Sequence, residues 1–208
     1  MHQSTRKLVR FAQRHPRVTA MVDAVAVSRA KKLLELFRRR LPANGKILDV
    51  GAGSGHLTEA VSKEGHHVTA LDIEDLRFVQ MPLVLADGTH LPFAEASFDA
   101  VLLLTVLHHA ACCRQPEMLK EAARVIGPGG RIIVLEDTFR TLFERVQTFI
   151  LDTAMNAEFF GHPHGYRSLE EWKDLFDGLG LRLCHSEEFK VRYGIFRVRH
   201  ALMVLNPS

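Results

Sequence analysis

Short runs of uniformly apolar residues alternate with amphipathic helical patterns along most of this chain, and that alternation restricts its fold more than any other feature. Strand-like runs fall at 46–50, 67–73, 83–86, 98–104 and 131–135. Helical patterns lie between them at 55–64 and 116–126, the second with Leu119, Ala122, Ala123 and Ile126 on one face. Strands that are apolar throughout are buried on both sides, and the intervening helices supply the crossovers of a parallel sheet. The pattern predicts a doubly wound α/β fold.

The two ends depart from the alternation. Ala30, Leu33, Leu34, Phe37 and Leu41 form a helical stripe, stopped by Pro42, Asn44 and Gly45. Arg38, Arg39 and Arg40 are expected in its last turn, where unpaired carbonyls favour positive charge. After Glu136 a long helical stretch covers 138–160, a turn-rich piece covers 161–165, and Trp172, Leu175, Phe176 and Leu179 share a further helix face. Two last strands, 181–190 and 195–205, are too close for a crossover helix and should pair antiparallel. The expectation is a seven-stranded, mostly parallel sheet with an antiparallel last strand and helices on both faces.

With 208 residues, 47% of them hydrophobic, the chain has the size of one domain. A domain of this size buries roughly 70% of its unfolded surface without disulfides or a structural metal. Three cysteines, with Cys112 and Cys113 adjacent and Cys184 distant, form neither a disulfide framework nor a zinc pattern. A reducing, cytoplasmic setting follows, and no signal peptide or membrane span is read. Charge is divided unevenly: residues 1–41 carry net +9, the remainder −6. An acidic body argues against a nucleic-acid binder. The basic 6–17 segment, with Leu8, Val9, Phe11 and Ala12, suits peripheral membrane contact, a terminal lid or a solvated arm.

The most informative local segment is Asp49-Val50-Gly51-Ala52-Gly53-Ser54-Gly55-His56, a buried strand entering a GxGxG loop that opens a helix. Glycine permits a tight turn and close ligand approach, with helix N–H groups aimed at the ligand's polar end. Asp72 ends the next strand 21 residues after Gly51, where a carboxylate can grip ribose hydroxyls. These features fit two nucleoside-containing ligands. A dinucleotide fingerprint would place glycine where this chain has His56.

The GxGxG form preceded by Asp49 resembles motif I of the class I S-adenosylmethionine-dependent methyltransferases, of Rossmann-like fold. Asp72-Ile73, the stretch from Ala86-Asp87-Gly88 through Leu91-Pro92-Phe93 to Ser97-Phe98-Asp99, Leu104-Thr105, and Ile126-Gly127-Pro128-Gly129-Gly130 resemble further motifs of its small-molecule members, in order. The resemblance implies S-adenosylmethionine as cofactor, S-adenosylhomocysteine as product, and a small-molecule acceptor. It assigns the methionine end to Asp49 and the loop Gly51, Ala52, Gly53, Ser54 and Gly55, the ribose to Asp72, and the adenine to Ile73 and Asp87 beside Gly88. Thr105 falls near the methionine moiety. It divides one domain, 1–208, into an N-terminal helical lid (1–41), a cofactor-binding half (46–137) and a substrate-side half (138–208) with a C-terminal hairpin.

His108 and His109, at the ligand-binding edge of such sheets, are the candidates for direct chemistry, with one of the two expected to face the interior. His109, His164 and Tyr166 are candidate acceptor contacts, and Trp172 a possible cover. Glu136 and Asp137 could accept a proton or cap the next helix. His162 and His164 lack further ligands, so no metal site is expected. Cys112 and Cys113 read as small buried hydrophobes. Phe139, Phe143, Phe149, Phe159 and Phe160 hint at an apolar or aromatic acceptor. The rival classes are a nicotinamide-dependent oxidoreductase and a non-catalytic cofactor-binding or regulatory protein.

Overall fold

A computed structural model of the chain describes residues 14–156, 165–193 and 196–207. Pro16, whose missing N–H costs nothing in a first turn, starts helix α1 (Pro16–Phe37). The helix is much longer than the 30–41 stripe implied. It also ends earlier: Arg38–Arg40 form a separate 3-10 turn, which corrects their placement in the helix's last turn. Arg40 instead reaches His185 Nε2 at 2.6 Å, and Arg131 donates to the Arg40 carbonyl at 2.9 Å.

The strands follow as β1 (Lys46–Val50), β2 (His67–Asp72), β3 (Leu83–Leu85), β4 (Phe98–Leu104), β5 (Ile126–Thr138), β6 (Leu181–Tyr193) and β7 (Phe196–Pro207). Their order in the single sheet is β3-β2-β1-β4-β5-β7-β6. β7 runs antiparallel to both neighbours, and the other pairings are parallel. The expected seven-stranded, doubly wound sheet is therefore the observed one, though β5 begins earlier and ends later than 131–135.

Helices α2 (His56–Lys63), α3 (Gln115–Val125), α4 (Leu142–Asn156) and α5 (Leu169–Gly178), with a second 3-10 turn at Leu107–His109, complete the described elements. Each sheet face carries its own apolar cluster. Leu34 and Phe37 of α1 and Val61 of α2 pack on Ile47, Leu102, Ile133 and Leu202. On the opposite face Leu119 and Ala122 of α3 and Trp172 and Phe176 of α5 pack on Leu48, Val101, Val134 and Met203. α5 starts at a capping box: Ser168 Oγ accepts from the Glu171 amide, and the Ser168 amide donates to Glu171 Oε2 at 2.7 Å. No helix among the described residues is long and apolar enough to cross a membrane.

Parallel order puts the carboxyl ends of β1, β2, β4 and β5 along one edge, and the strand order reverses between β1 and β4. An open crevice forms at such a switch point.

Candidate active site

The chain leaves β1 at Val50 and turns through Gly51–Gly55 into α2. Gly51 has φ +80°, and a Cβ there would stand 2.4 Å from Val106 Cγ2, so both backbone and packing demand glycine. The loop's N–H groups are engaged within the protein. Gly51 and Ala52 donate to the Leu71 carbonyl at 2.8 and 3.1 Å, Gly55 donates to that of Ala52 at 2.9 Å, and Gly53 donates to Asp72 Oδ2 at 2.9 Å. The expectation of ligand-directed amides concerned the helix N–H groups, which these loop amides are not. The loop amides bind the loop to β2 and orient Asp72, whose Oδ1 accepts from the Glu74 amide at 3.1 Å. A pyrophosphate needs such amides for itself.

A cavity of about 610 Å³ opens at this edge. Gly51, Gly53, Asp72, Ile73, Asp87, Gly88 and Thr105 line it, with His108 and His109. Ile73 is 61% exposed, a large aliphatic surface at the rim. Asp87 Oδ1 accepts from the Thr89 amide and hydroxyl at 3.0 and 2.9 Å, and Oδ2 accepts from Arg114 at 2.5 Å. Burial raises its pKa, but the bonds from Thr89 and Arg114 outweigh that and hold it below the ordinary carboxylate range.

Other candidates stand back from the cavity. Asp49 is buried beneath the loop and accepts from Thr58 Oγ1 at 2.5 Å. Burial, partly countered by the Thr58 bond and reinforced by the Asp72 charge, pushes its pKa up to about 6. Ala52, Ser54 and Gly55 are not among the lining residues. Ser54 Oγ lies 3.0 Å from His56 Nδ1, and His56 Nε2 lies 3.1 Å from Asp23 Oδ1 of α1. His56 thus ties α1 to the glycine loop.

At the end of β4, buried Glu136 accepts from the amides of Val106 and Leu107 at 2.9 and 2.7 Å, with its other oxygen 2.5 Å from His108 Nδ1. Neither a helix cap nor a solvent-facing base, Glu136 anchors the 107–109 turn. His108 is the interior member of the histidine pair, buried yet lining the cavity, and its ring stacks 5.4 Å from Tyr166. Tyr166 is buried behind His108 and does not line the cavity, and Trp172 is fully buried core against Phe176. Both corrections arise because the segment after residue 165 packs under the sheet edge: Gln115 Nε2 donates to the carbonyls of Leu107 and Gly165. His162, His164, Phe159 and Phe160 lie outside the described residues.

Asp137, a candidate proton acceptor in the sequence, has a partner that sequence reasoning missed, as it missed several other lining groups. Asp137 and His200 are paired across β5 and β7, with Nδ1 2.7 Å from the Asp137 carboxylate, and both line the cavity. Thr148 and Leu151 of α4 and Val198 of β7 stand with them, and Arg29 of α1 and Arg114 contribute from other sides. His200 had no local signal, because its neighbour on β5 is set only by the register of β7. Phe143 and Phe149 instead point outward, 75% and 46% exposed, and Cys112 and Cys113 are exposed because they lie on the surface turn before α3. No cluster of three or more His, Cys, Asp or Glu able to hold a metal ion occurs among the described residues.

Comparison with known proteins places this geometry in context. The family described as "Methyltransferase domain" matches residues 48–134. A demethylmenaquinone methyltransferase of Corynebacterium efficiens is 31% identical over 163 residues, covering 68% of this chain and 70% of the relative. The biotin biosynthesis bifunctional protein BioHC of Cellvibrio japonicus is 35% identical over 136 residues, covering 60% of this chain and 26% of the relative. The chain spans less than two thirds of the length of this and several other curated relatives. In structure it resembles the Burkholderia thailandensis 1,6-didemethyltoxoflavin-N1-methyltransferase, crystallised with 1,6-didemethyltoxoflavin and S-adenosylhomocysteine. The TM-score is 0.62 at 19% identity, covering 91% of this chain and 81% of that one.

Proposed function

The chain belongs to the class I, Rossmann-like family of S-adenosylmethionine-dependent methyltransferases, and from that premise we propose that it methylates a small, apolar or aromatic acceptor by in-line displacement. The observation that carries the proposal is one cavity lined both by the nucleoside-binding set and by a second, mixed set at the β5–β7 end.

The residues present suit the cofactor. Asp72 is held by two backbone amides, yet each carboxylate oxygen keeps a second lone pair for the ribose hydroxyls. Ile73 offers aliphatic surface for a purine face, and Asp87 an ionised carboxylate for its amino group. Gly51 and Gly53 leave the methionine end uncrowded by side chains. The cofactor supplies a methyl group on a sulfonium sulfur; the acceptor's bond to that methyl forms as the bond to sulfur breaks, the electron pair leaving with sulfur. What the protein adds is alignment, which for well-placed reactants is equivalent to molarities on the order of 10⁵–10⁸ M.

For the acceptor side, Val198, Leu151 and Ala110 supply apolar contact, while His109 and the Asp137–His200 pair supply places for a proton. Relatives named for demethylmenaquinone methylation support a ring-bearing, apolar acceptor. In the same reading α1, tied to the loop through Asp23 and His56 and reaching the cavity with Arg29, serves as the lid, and 138–208 as the substrate-side half. A cytoplasmic setting, with three exposed cysteines, belongs to this proposal.

Calorimetry with S-adenosylhomocysteine, followed by transfer of labelled methyl groups into a lipid extract, tests it. Binding with turnover is the expected result. Binding without turnover would favour a regulatory protein, and stabilisation by NAD(H) alone an oxidoreductase.

A further inference from the structure

Helix α4 shows two unlike faces. Thr148 and Leu151 turn inward and line the cavity. Outward stand Leu142 and Phe143, each 75% exposed, with Val146, Phe149 and Ile150 about half exposed. Five large apolar side chains on two turns form a continuous stripe, the kind of exposure soluble surfaces avoid unless it is used.

Arginines stand beside that stripe among the described residues. Arg145 is exposed on the same helix with its guanidinium 5.3 Å from the Phe139 ring centre, and Arg197 is exposed beside it, as is Arg140, whose guanidinium is paired with Glu188. Gln147 of α4 donates to the Arg197 carbonyl at 2.8 Å, which fixes the hairpin arginine next to the helix. Glu144, the acid of the first turn, faces inward to Lys190 and Arg199 at 2.7 and 3.0 Å. Across the mouth, α1 exposes Val25 (67%) one turn before Arg29, with Lys31 and Lys32 also exposed.

We propose that this outward face of α4 docks the protein peripherally on an anionic lipid surface, setting the cavity mouth at the bilayer interface. An apolar stripe bordered by arginine is the pattern that enters the headgroup region, where anionic lipid attracts basic side chains. A second copy across a two-fold axis would bring the same arginines together, whereas headgroups neutralise them. The consequence, entry of an acceptor dissolved in lipid, rests on the methyltransferase reading; the docking itself does not.

Flotation with phosphatidylcholine vesicles containing about a third phosphatidylglycerol tests the docking. The protein should float with these vesicles, and much less with pure phosphatidylcholine or in high salt. Phe143→Ser with Ile150→Ser should lower partitioning about tenfold or more. The paired control Phe143→Leu with Ile150→Val should retain it, with S-adenosylhomocysteine affinity unchanged in both. Wild-type protein that stays in solution with anionic vesicles overturns the proposal. So does a dimer in solution that the serine pair dissolves, which would assign the face to a second copy. Vesicle binding and cofactor binding are read separately, so either can fail alone.

Discussion

Asp137 and His200 stand directly opposite one another on antiparallel β5 and β7, the imidazole Nδ1 2.7 Å from the carboxylate, inside the cavity that Asp72 also lines. Neighbouring Glu136 turns to the other sheet face and holds His108. Two successive acids on one strand therefore serve two different histidines, because alternate strand residues point to opposite sides. His108 is locked into the turn after β4. The Asp137–His200 pair is the better placed of the two to take a proton from an acceptor.

Asp137→Asn should accordingly leave S-adenosylhomocysteine affinity within about twofold and lower methyl transfer by about 10²-fold, the usual scale of a lost acid–base contribution. Calorimetry and single-turnover transfer of labelled methyl groups into a lipid extract separate the two. Equal losses in both would show the pair to be structural.

Asp72→Ala removes the carboxylate proposed for both ribose hydroxyls. Hydrogen bonds to a charged group contribute about 1.5–3 kcal/mol each, so S-adenosylhomocysteine should bind about 100-fold more weakly or worse. Unchanged affinity by calorimetry would remove Asp72 from the site.

Gly51→Ala places a Cβ 2.4 Å from Val106 on backbone at φ +80°. Strain of about 1–2 kcal/mol from the backbone adds to the clash. The melting temperature should fall by several degrees, and Val106→Ala in the same chain should restore only the part due to the clash.

Two acids give opposite pH dependences. Asp49 has a folded pKa near 6 against an ordinary 3.8, so its stabilising contribution is full below about 3.8 and is lost as pH rises through about 6. Asp49→Asn, which can still accept from Thr58, should become more stable relative to wild type above pH 6, by at most about 3 kcal/mol. Glu144 is held down to about 2, first by Arg199 and, against burial, also by Lys190 and the Arg140 amide. Its contribution is present above about 4.5 and is lost as pH falls through about 2. Glu144→Gln should flatten that acid limb in urea melts, and a retained limb would assign it elsewhere.

Local chemistry was legible wherever one segment carried its own signal. The strands at 46–50 and 98–104 begin and end as read, since apolar runs between polar turns leave little choice of boundary. Asp72 and Asp87 both line the cavity, although β2 ends at Asp72 and β3 at Leu85, each one residue short of the runs read as 67–73 and 83–86. Tyr166 and Trp172 were misjudged for a shared reason: an aromatic near a loop looks available until the packing above it is known. The burial of Asp49 was not legible, because a strand residue's side is invisible until its neighbours are in register.

From its order of residues alone this chain was bound to form a glycine-turned, doubly wound α/β sheet, because hydrophobic period and turn chemistry act over a few residues. The pairing of His200 with Asp137, the inward turn of Glu136 and the two faces of α4 arose from contacts between segments tens of residues apart. Such contacts depend on strand order and register, and no local pattern encodes them.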